Sequence, residues 1–292
     1  MTSATHTFHS NLFSRLRAIS VLCSLAMVLL MGSHSSALAQ DSSGIHVAPL
    51  WTVHIDQVEP AKVMTFERLC REQSRMRQLA LSTNGIAVPL SYEIELRGTQ
   101  YFTFRPRETY AELDHPPAYP DSVRKKLDRE VYSLDDSIHA TLKEHYSQLW
   151  SYDESSSYIP PAWASHPKDI QYVHIHTETV RPGEDNAHDS VLAALHAALN
   201  RAHYQLPVLI FYASYGAGGY QYLWFADSVK SMLSRKILGD IMRAAFDSVS
   251  VRKFHAQWNR SLLDSKETDA RVRRELNALD PRERWFGLAE KK

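Results

Sequence analysis

Two histidines one residue apart on an extended run form a chelating pair. Residues 172–180, YVHIHTETV, hold such a pair in His174 and His176. Side chains alternate along a strand, so these two imidazoles share one face and Val173 and Ile175 the other. Residues 52–58, TVHIDQV, present a related set in which His54 and Asp56 alternate with Val53 and Ile55. The sharpest chemistry these residues allow is a transition-metal site: His174 and His176, with a third ligand from His54 or Asp56. Proton transfer through the same imidazoles is a second reading. Plain hydrogen bonding to tyrosine or carboxylate partners is the third, and a chain with twelve histidines beyond residue 39 also produces His-x-His by chance.

Aromatic residues give a second candidate site. Tyr220, Tyr222 and Trp224 alternate along YQYLWF (220–225), as Phe102 and Phe104 do along YFTF (101–104). Aromatics on strands commonly fill a core, but these five could also wall a pocket for a flat apolar ligand such as a quinone or polyketide. Glu93 and Glu95 flank Ile94 on one strand face and read as solvated or edge-facing carboxylates, with general-base work as the alternative. His188, His196 and His203 fall in a helical pattern, but His196 beside an Ala/Leu stripe reads as a surface or satisfied residue. The run Gly216-Ala217-Gly218-Gly219 joins two strands and is followed by Tyr220, so it is a turn and not a phosphate cradle. No nucleophile elbow, Walker A or His-Glu-x-x-His motif occurs.

The elements that must carry these residues come twice in the same order. WTVHIDQV (51–58) is a strand, and 60–81 places Val63, Phe66, Leu69 and Cys70 at helical spacing after Pro60. LSYEIEL (90–96) and YFTF (101–104) form a hairpin across Arg97-Gly98-Thr99-Gln100. Further helix comes next, then a strand near 146–159. From residue 172 the order repeats: strand 172–180, helix 184–202 with Ala187, Val191, Leu195 and Ala198 on one face, hairpin 207–215/220–225, and helix 226–246. Matching the two hairpins from their C-terminal ends aligns Phe104 with Trp224 and Phe102 with Tyr222. The last strand of the second set is expected within 249–263.

Strand, helix, hairpin, helix, strand is the split β-α-β motif of a ferredoxin-like unit, whose sheet has one face bare of helices. The expected fold is therefore α+β: two tandem ferredoxin-like units, 46–160 and 170–263, packed sheet to sheet as an intramolecular pseudo-dimeric α+β barrel. The Pro-rich stretch 159–169 reads as the linker, and 264–292 as a helical tail anchored by Trp285 and Phe286. On this reading the Val/Ile faces lie under the helices and the histidine faces point between the sheets. The element order and the strand-to-helix openings Val58-Glu59-Pro60 and Val180-Arg181-Pro182 resemble the dimeric α/β-barrel superfamily. That group includes NIPSNAP-type domains, antibiotic-biosynthesis monooxygenases and heme-degrading monooxygenases. The resemblance implies a scaffold and transfers no functional residue.

Arg15 and Arg17, the apolar run 18–32 and Ala37-Leu38-Ala39 have the three parts of a secretory signal peptide, with cleavage expected near Ala39. Its loss from a chain with 33 basic and 33 acidic residues leaves a formal charge of −2, which argues against a nucleic-acid partner. No lipidated or polybasic anchor holds the remainder to a membrane. Cys70 is the one cysteine beyond residue 39 and reads as a buried apolar residue. The expectation is thus an exported periplasmic or secreted protein, a monomeric pseudo-dimer or a homodimer, with no resident cofactor, that binds a small apolar or aromatic ligand between its sheets. A cofactor-independent or metal-assisted monooxygenase and a structural or partner-binding envelope protein are the alternatives.

Overall fold

A computed structural model describes residues 45–89, 91–114, 118–161, 163, 170–215, 219–233, 238–276 and 289–290. The expected signal peptide, most of the Gly-Ala-Gly-Gly turn, and Trp285 and Phe286 lie outside these residues. Eight strands carry the architecture: β1 (Leu50–Val58), β2 (Tyr92–Leu96), β3 (Gln100–Arg107), β4 (Leu142–Tyr152), β5 (Tyr172–Val180), β6 (Val208–Tyr215), β7 (Tyr220–Ala226) and β8 (Leu262–Val272). They pair antiparallel throughout. The result is a closed barrel in the order β1-β3-β2-β8-β5-β7-β6-β4. Within residues 50–152 the succession is β4-β1-β3-β2, and within 172–272 it is β8-β5-β7-β6.

The longer helices are α1 (Val63–Ser82), α2 (Asp121–Glu130), α3 (Asp185–Arg201), α4 (Leu238–Ala245) and α5 (Ser248–Ser261). Pro60 opens the turn that leads into α1, and Phe66, Leu69, Ala80 and Leu81 make its buried stripe. α5 starts at Asp247, whose side chain accepts from the backbone N–H groups of Val249 and Ser250 at 2.8 and 2.9 Å. The β2–β3 turn needs left-handed backbone at Arg97 (φ 53°) and Gly98 (φ 75°), the latter at no steric cost. Among the described residues no helix is long and apolar enough to cross a membrane.

The two strand faces are the reverse of the expected ones. Trp51, Val53, Ile55, Tyr92, Ile94, Phe104, Trp150, Val173, Ile175, Phe211, Leu223 and Phe225 form one cluster inside the barrel. Trp51 on β1 and Phe211 on β6 are not strand neighbours, yet their rings lie 6.0 Å apart across the interior. The histidine faces therefore point outward, toward the helices. The reason is volume. A closed eight-strand barrel has just enough interior for side chains, and the bulky residues fill it. Each such fully buried side chain contributes on the order of 1.5–3 kcal/mol.

Three further expectations change. The last strand is β8 at 262–272, in place of 249–263, and it occupies the start of the supposed helical tail. Residues 249–263 instead carry α5, because Val251 and Phe254 are buried at helical spacing behind the Asp247 cap. In β8 only Ala270 and Val272 are buried, so no alternation announces a strand; pairing with β5 and β2 fixes it. The supposed linker is partly core: Ile159, Trp163 and Ile170 join the interior cluster. The true hairpin alignment differs by one residue from the expected one. Val53 pairs with Phe104 and Val173 with Phe225, so Phe104 corresponds to Phe225, and Tyr101 to Tyr222. A one-residue slip moves a side chain to the other face.

Candidate functional site

The proposed metal ligands do not converge. His54 and Asp56 are on β1 and His174 and His176 on β5, four strands away in either direction around the barrel, all facing outward. Among the described residues no group of three or more His, Cys, Asp or Glu side chains is placed to hold a metal ion. The five aromatic residues also divide. Phe102 and Phe104 belong to the interior, whereas Tyr220, Tyr222 and Trp224 pack beneath the helices around α3.

Each histidine strand instead contributes to a separate polar cluster under helices. In the second half, His174, His176 and Glu178 share the outward face of β5. Glu178 is fully buried. Its carboxylate accepts from Trp258 Nε1 at 2.5 Å and from the Tyr222 hydroxyl at 2.6 Å. His176 Nε2 lies 2.9 Å from Oε1, and His188 Nε2 3.3 Å from Oε2. Burial and the Glu178 charge push the Tyr222 hydroxyl well above its usual range, so it remains a donor. His188 is lowered by burial, against the pull of Glu178. His174 Nδ1 lies 2.8 Å from Asp269. This network ties β5, β7, α3 and α5 together and gives each oxygen of its central carboxylate a hydrogen bond, which is how a buried polar network stabilises a core. The sequence signal for Glu178 is the same alternation that marks His174 and His176, extended two residues further.

The first half is different at register-equivalent positions. Where the second half packs Val208, Ile210, Trp224 and Ala226, the first half has Glu93, Glu95, Thr103 and Arg105. Glu95 is paired with Arg273. Glu93 is not solvated as expected: it is 6 % exposed, and its Oε1 is buried without a hydrogen-bond partner. Burial, with the Asp56 charge, pushes its carboxyl up to about 8. Thr52 Oγ1, on the next strand but one, and Arg107 Nε are also buried without partners. Arg105, opposite Thr52, makes no hydrogen bond or ion pair among the described residues; burial and the charges of Arg77 and Arg107 lower it. His54 accepts or donates one bond, with Ser147 Oγ at 2.8 Å, and burial with Arg105, His145 and Arg107 depresses it to about 3. It is therefore a neutral imidazole. Beside it, Asp56 Oδ1 lies 2.5 Å from His145 Nδ1, and the His54 and His145 rings stack at 5.9 Å.

Cys70 on α1 belongs to the same surroundings. Burial and the Glu93 charge raise its thiol, which makes it an inert packing residue. The first-half face thus concentrates orphaned polar groups, each costing roughly 1–3 kcal/mol. A fold tolerates such groups where a ligand or ordered water completes them. Their signal in the sequence is the interruption of an apolar strand pattern by Glu93, Thr103 and Arg105.

No protein-family model and no curated protein matches the chain. Solved structures of similar shape include a candidate monooxygenase from Fusobacterium nucleatum, 10% identical, covering 78% of this chain and 94% of that one, with a TM-score of 0.48. A candidate monooxygenase from Lactobacillus acidophilus is 6% identical, with 84% and 97% covered and a TM-score of 0.45. An anthrone oxidase-like protein is 10% identical, with 77% and 91% covered and a TM-score of 0.46. At these identities and scores the likeness carries no argument about activity.

Proposed function

We propose that this is an exported small-molecule-binding protein whose site lies beneath α1 on the outward face of β1, β2 and β3. The observation that carries this reading is the contrast between the two helix-covered faces. The second-half carboxylate has a hydrogen bond at each oxygen, while the first half leaves Glu93, Thr52 and Arg107 with orphaned atoms. A binding site is unsatisfied until its ligand arrives; a structural network is satisfied already. The interior, packed with Trp51, Trp150, Phe211 and Phe225, leaves the space between the sheets to the core. The scaffold is read as two ferredoxin-like units of the dimeric α/β-barrel type, supported by the repeated strand succession, with β8 completing the second.

Backbone amide shifts under a small-molecule panel test the location. Perturbations gathered on Thr52, His54, Thr103 and Arg105 are expected. Perturbations gathered on Val173 and Leu223 would return the site to the interior, and none at all would favour a structural or partner-binding role.

A second reading, a cofactor-independent monooxygenase, is favoured by the Asp56–His145 pair at the edge of the same face. A carboxylate there orients a reachable imidazole, as proton abstraction from a phenolic substrate requires. Oxygen uptake with a quinol substrate, lost in His145→Asn, is its test.

A further inference from the structure

We propose that the first-half site recognises a small ligand through an oxyanion group, held by Arg105 and Arg107 with the Thr52 hydroxyl. This rests on the location argued above and adds the ligand's chemical class. Three guanidinium groups come together here: Arg105 and Arg107, two residues apart on one face of β3, and Arg77 from α1, close enough for both to act on Arg105. Among the described residues none of the three has an ion-pair partner, and Arg107 Nε is buried with its proton unused. Thr52 Oγ1, directly across β1–β3 from Arg105, is equally unused.

Among the described residues, the acidic groups around them form no ion pair with the cluster, although Asp56 and Glu93 lie near enough to act on Arg105. Glu95 and Glu67 are committed to Arg273, and Asp56 to His145. Glu93 faces the cluster as a carboxylic acid through most of the physiological range, able to donate a proton in a hydrogen bond to an anion. His54 adds a neutral imidazole. Like charges held together without a directly paired counterion repel, and the arrangement relaxes when an anion enters. Guanidinium forks fit carboxylate and phosphate oxygens in pairs, and a threonine hydroxyl and a protonated carboxyl add donors. At the register-equivalent positions in the second half, Ala226 opposite Tyr172, there is no charge, and the hydroxyl belongs to a phenol instead of a threonine.

The test uses the whole chain and three probes: benzoate, benzyl alcohol as its neutral match, and inorganic phosphate. Calorimetric titration and thermal shift are read on the wild type and on Arg105→Gln and Arg107→Gln. Arg105→Gln removes an unpaired cation from a partly buried site, so it is expected to fold. Binding of benzoate or phosphate, weakened at least about tenfold in either variant as loss of a charged hydrogen bond implies, supports the proposal. The preferred probe says whether the group is a carboxylate or a phosphate. Binding of benzyl alcohol as tightly as benzoate, unchanged in the variants, would overturn the oxyanion inference while leaving a ligand site in place. No binding of any probe would overturn both.

Discussion

Glu93 separates two roles that a buried carboxylate can have. Glu178 accepts a hydrogen bond at each oxygen and stabilises its half of the barrel; Glu93 meets no donor at Oε1 and is a liability until something fills its surroundings. The consequence is readable in pH. The Glu93 carboxyl is raised from an ordinary value of 4.5 to about 8, chiefly by burial. Between those values the folded protein keeps a proton that the unfolded chain has released. Stability therefore falls as pH rises through that window, by at most about 1.4 kcal/mol per unit, and the slope vanishes above it. Glu93→Gln removes the dependence. Urea unfolding at pH 5, 6, 7 and 8 should show the variant level with the wild type at the acid end and increasingly more stable toward pH 8. Parallel curves would mean that Glu93 ionises freely in the fold.

At the scale of elements, the legible part was the pattern that a strand or helix imposes on its own residues. β1, α1, the β2–β3 hairpin, β5, α3 and the β6–β7 hairpin stand where the spacing put them. What could not be read was which face a strand turns inward, since Val53-x-Ile55 suits a barrel interior and a helix-packed surface equally well. Closure decided it, because the interior takes the bulkier set. β8 was illegible for a related reason: only Ala270 and Val272 at its end are buried, and its identity comes from pairing with β5. The candidate site was legible only as fragments, His54, Asp56 and Glu93 appearing without Thr52, Arg105 or Arg107, which register alone brings alongside them.

The turn between β6 and β7 shows how tightly pairing constrains a single position. Gly219 has φ 125°, and a Cβ added there would sit 2.1 Å from the backbone oxygen of Glu178. Gly219→Ala must displace the hairpin from β5, at a cost of roughly 2 kcal/mol or more. Gly85, with φ 67° and open space around its Cβ position, provides the control; its alanine variant should cost about 1 kcal/mol. Thermal melts of the two variants check the difference, and equal losses would show that the close approach to Glu178 is unimportant.

For the whole molecule, the barrel's two seams and its core make opposite claims about independence. β2 meets β8 over three residue pairs and β4 meets β6 over four, so few backbone hydrogen bonds join residues 45–161 to 170–276. The interior is nevertheless shared. Trp51 packs on Phe211 at 6.0 Å and Trp150 on Phe211 at 5.9 Å, contacts that cross from one half to the other. Hydrophobic burial outweighs a handful of seam hydrogen bonds, each contributing about 1 kcal/mol net. The barrel should therefore unfold as one cooperative unit. Phe211→Ala, which opens a cavity against Trp51, Trp150 and Tyr152, should cost about 3–5 kcal/mol and lower a single transition without splitting it. Separated, the fragment 45–161 would expose Trp51, Tyr92, Phe104 and Trp150 on one sheet face, a patch too apolar for a monomer. Sedimentation of that fragment should show self-association, relieved when the fragment 170–276 is added and the two halves assemble one to one. A fragment that stays monomeric and melts cooperatively alone would place the stability within each half, and the shared core would then be an interface between two autonomous domains.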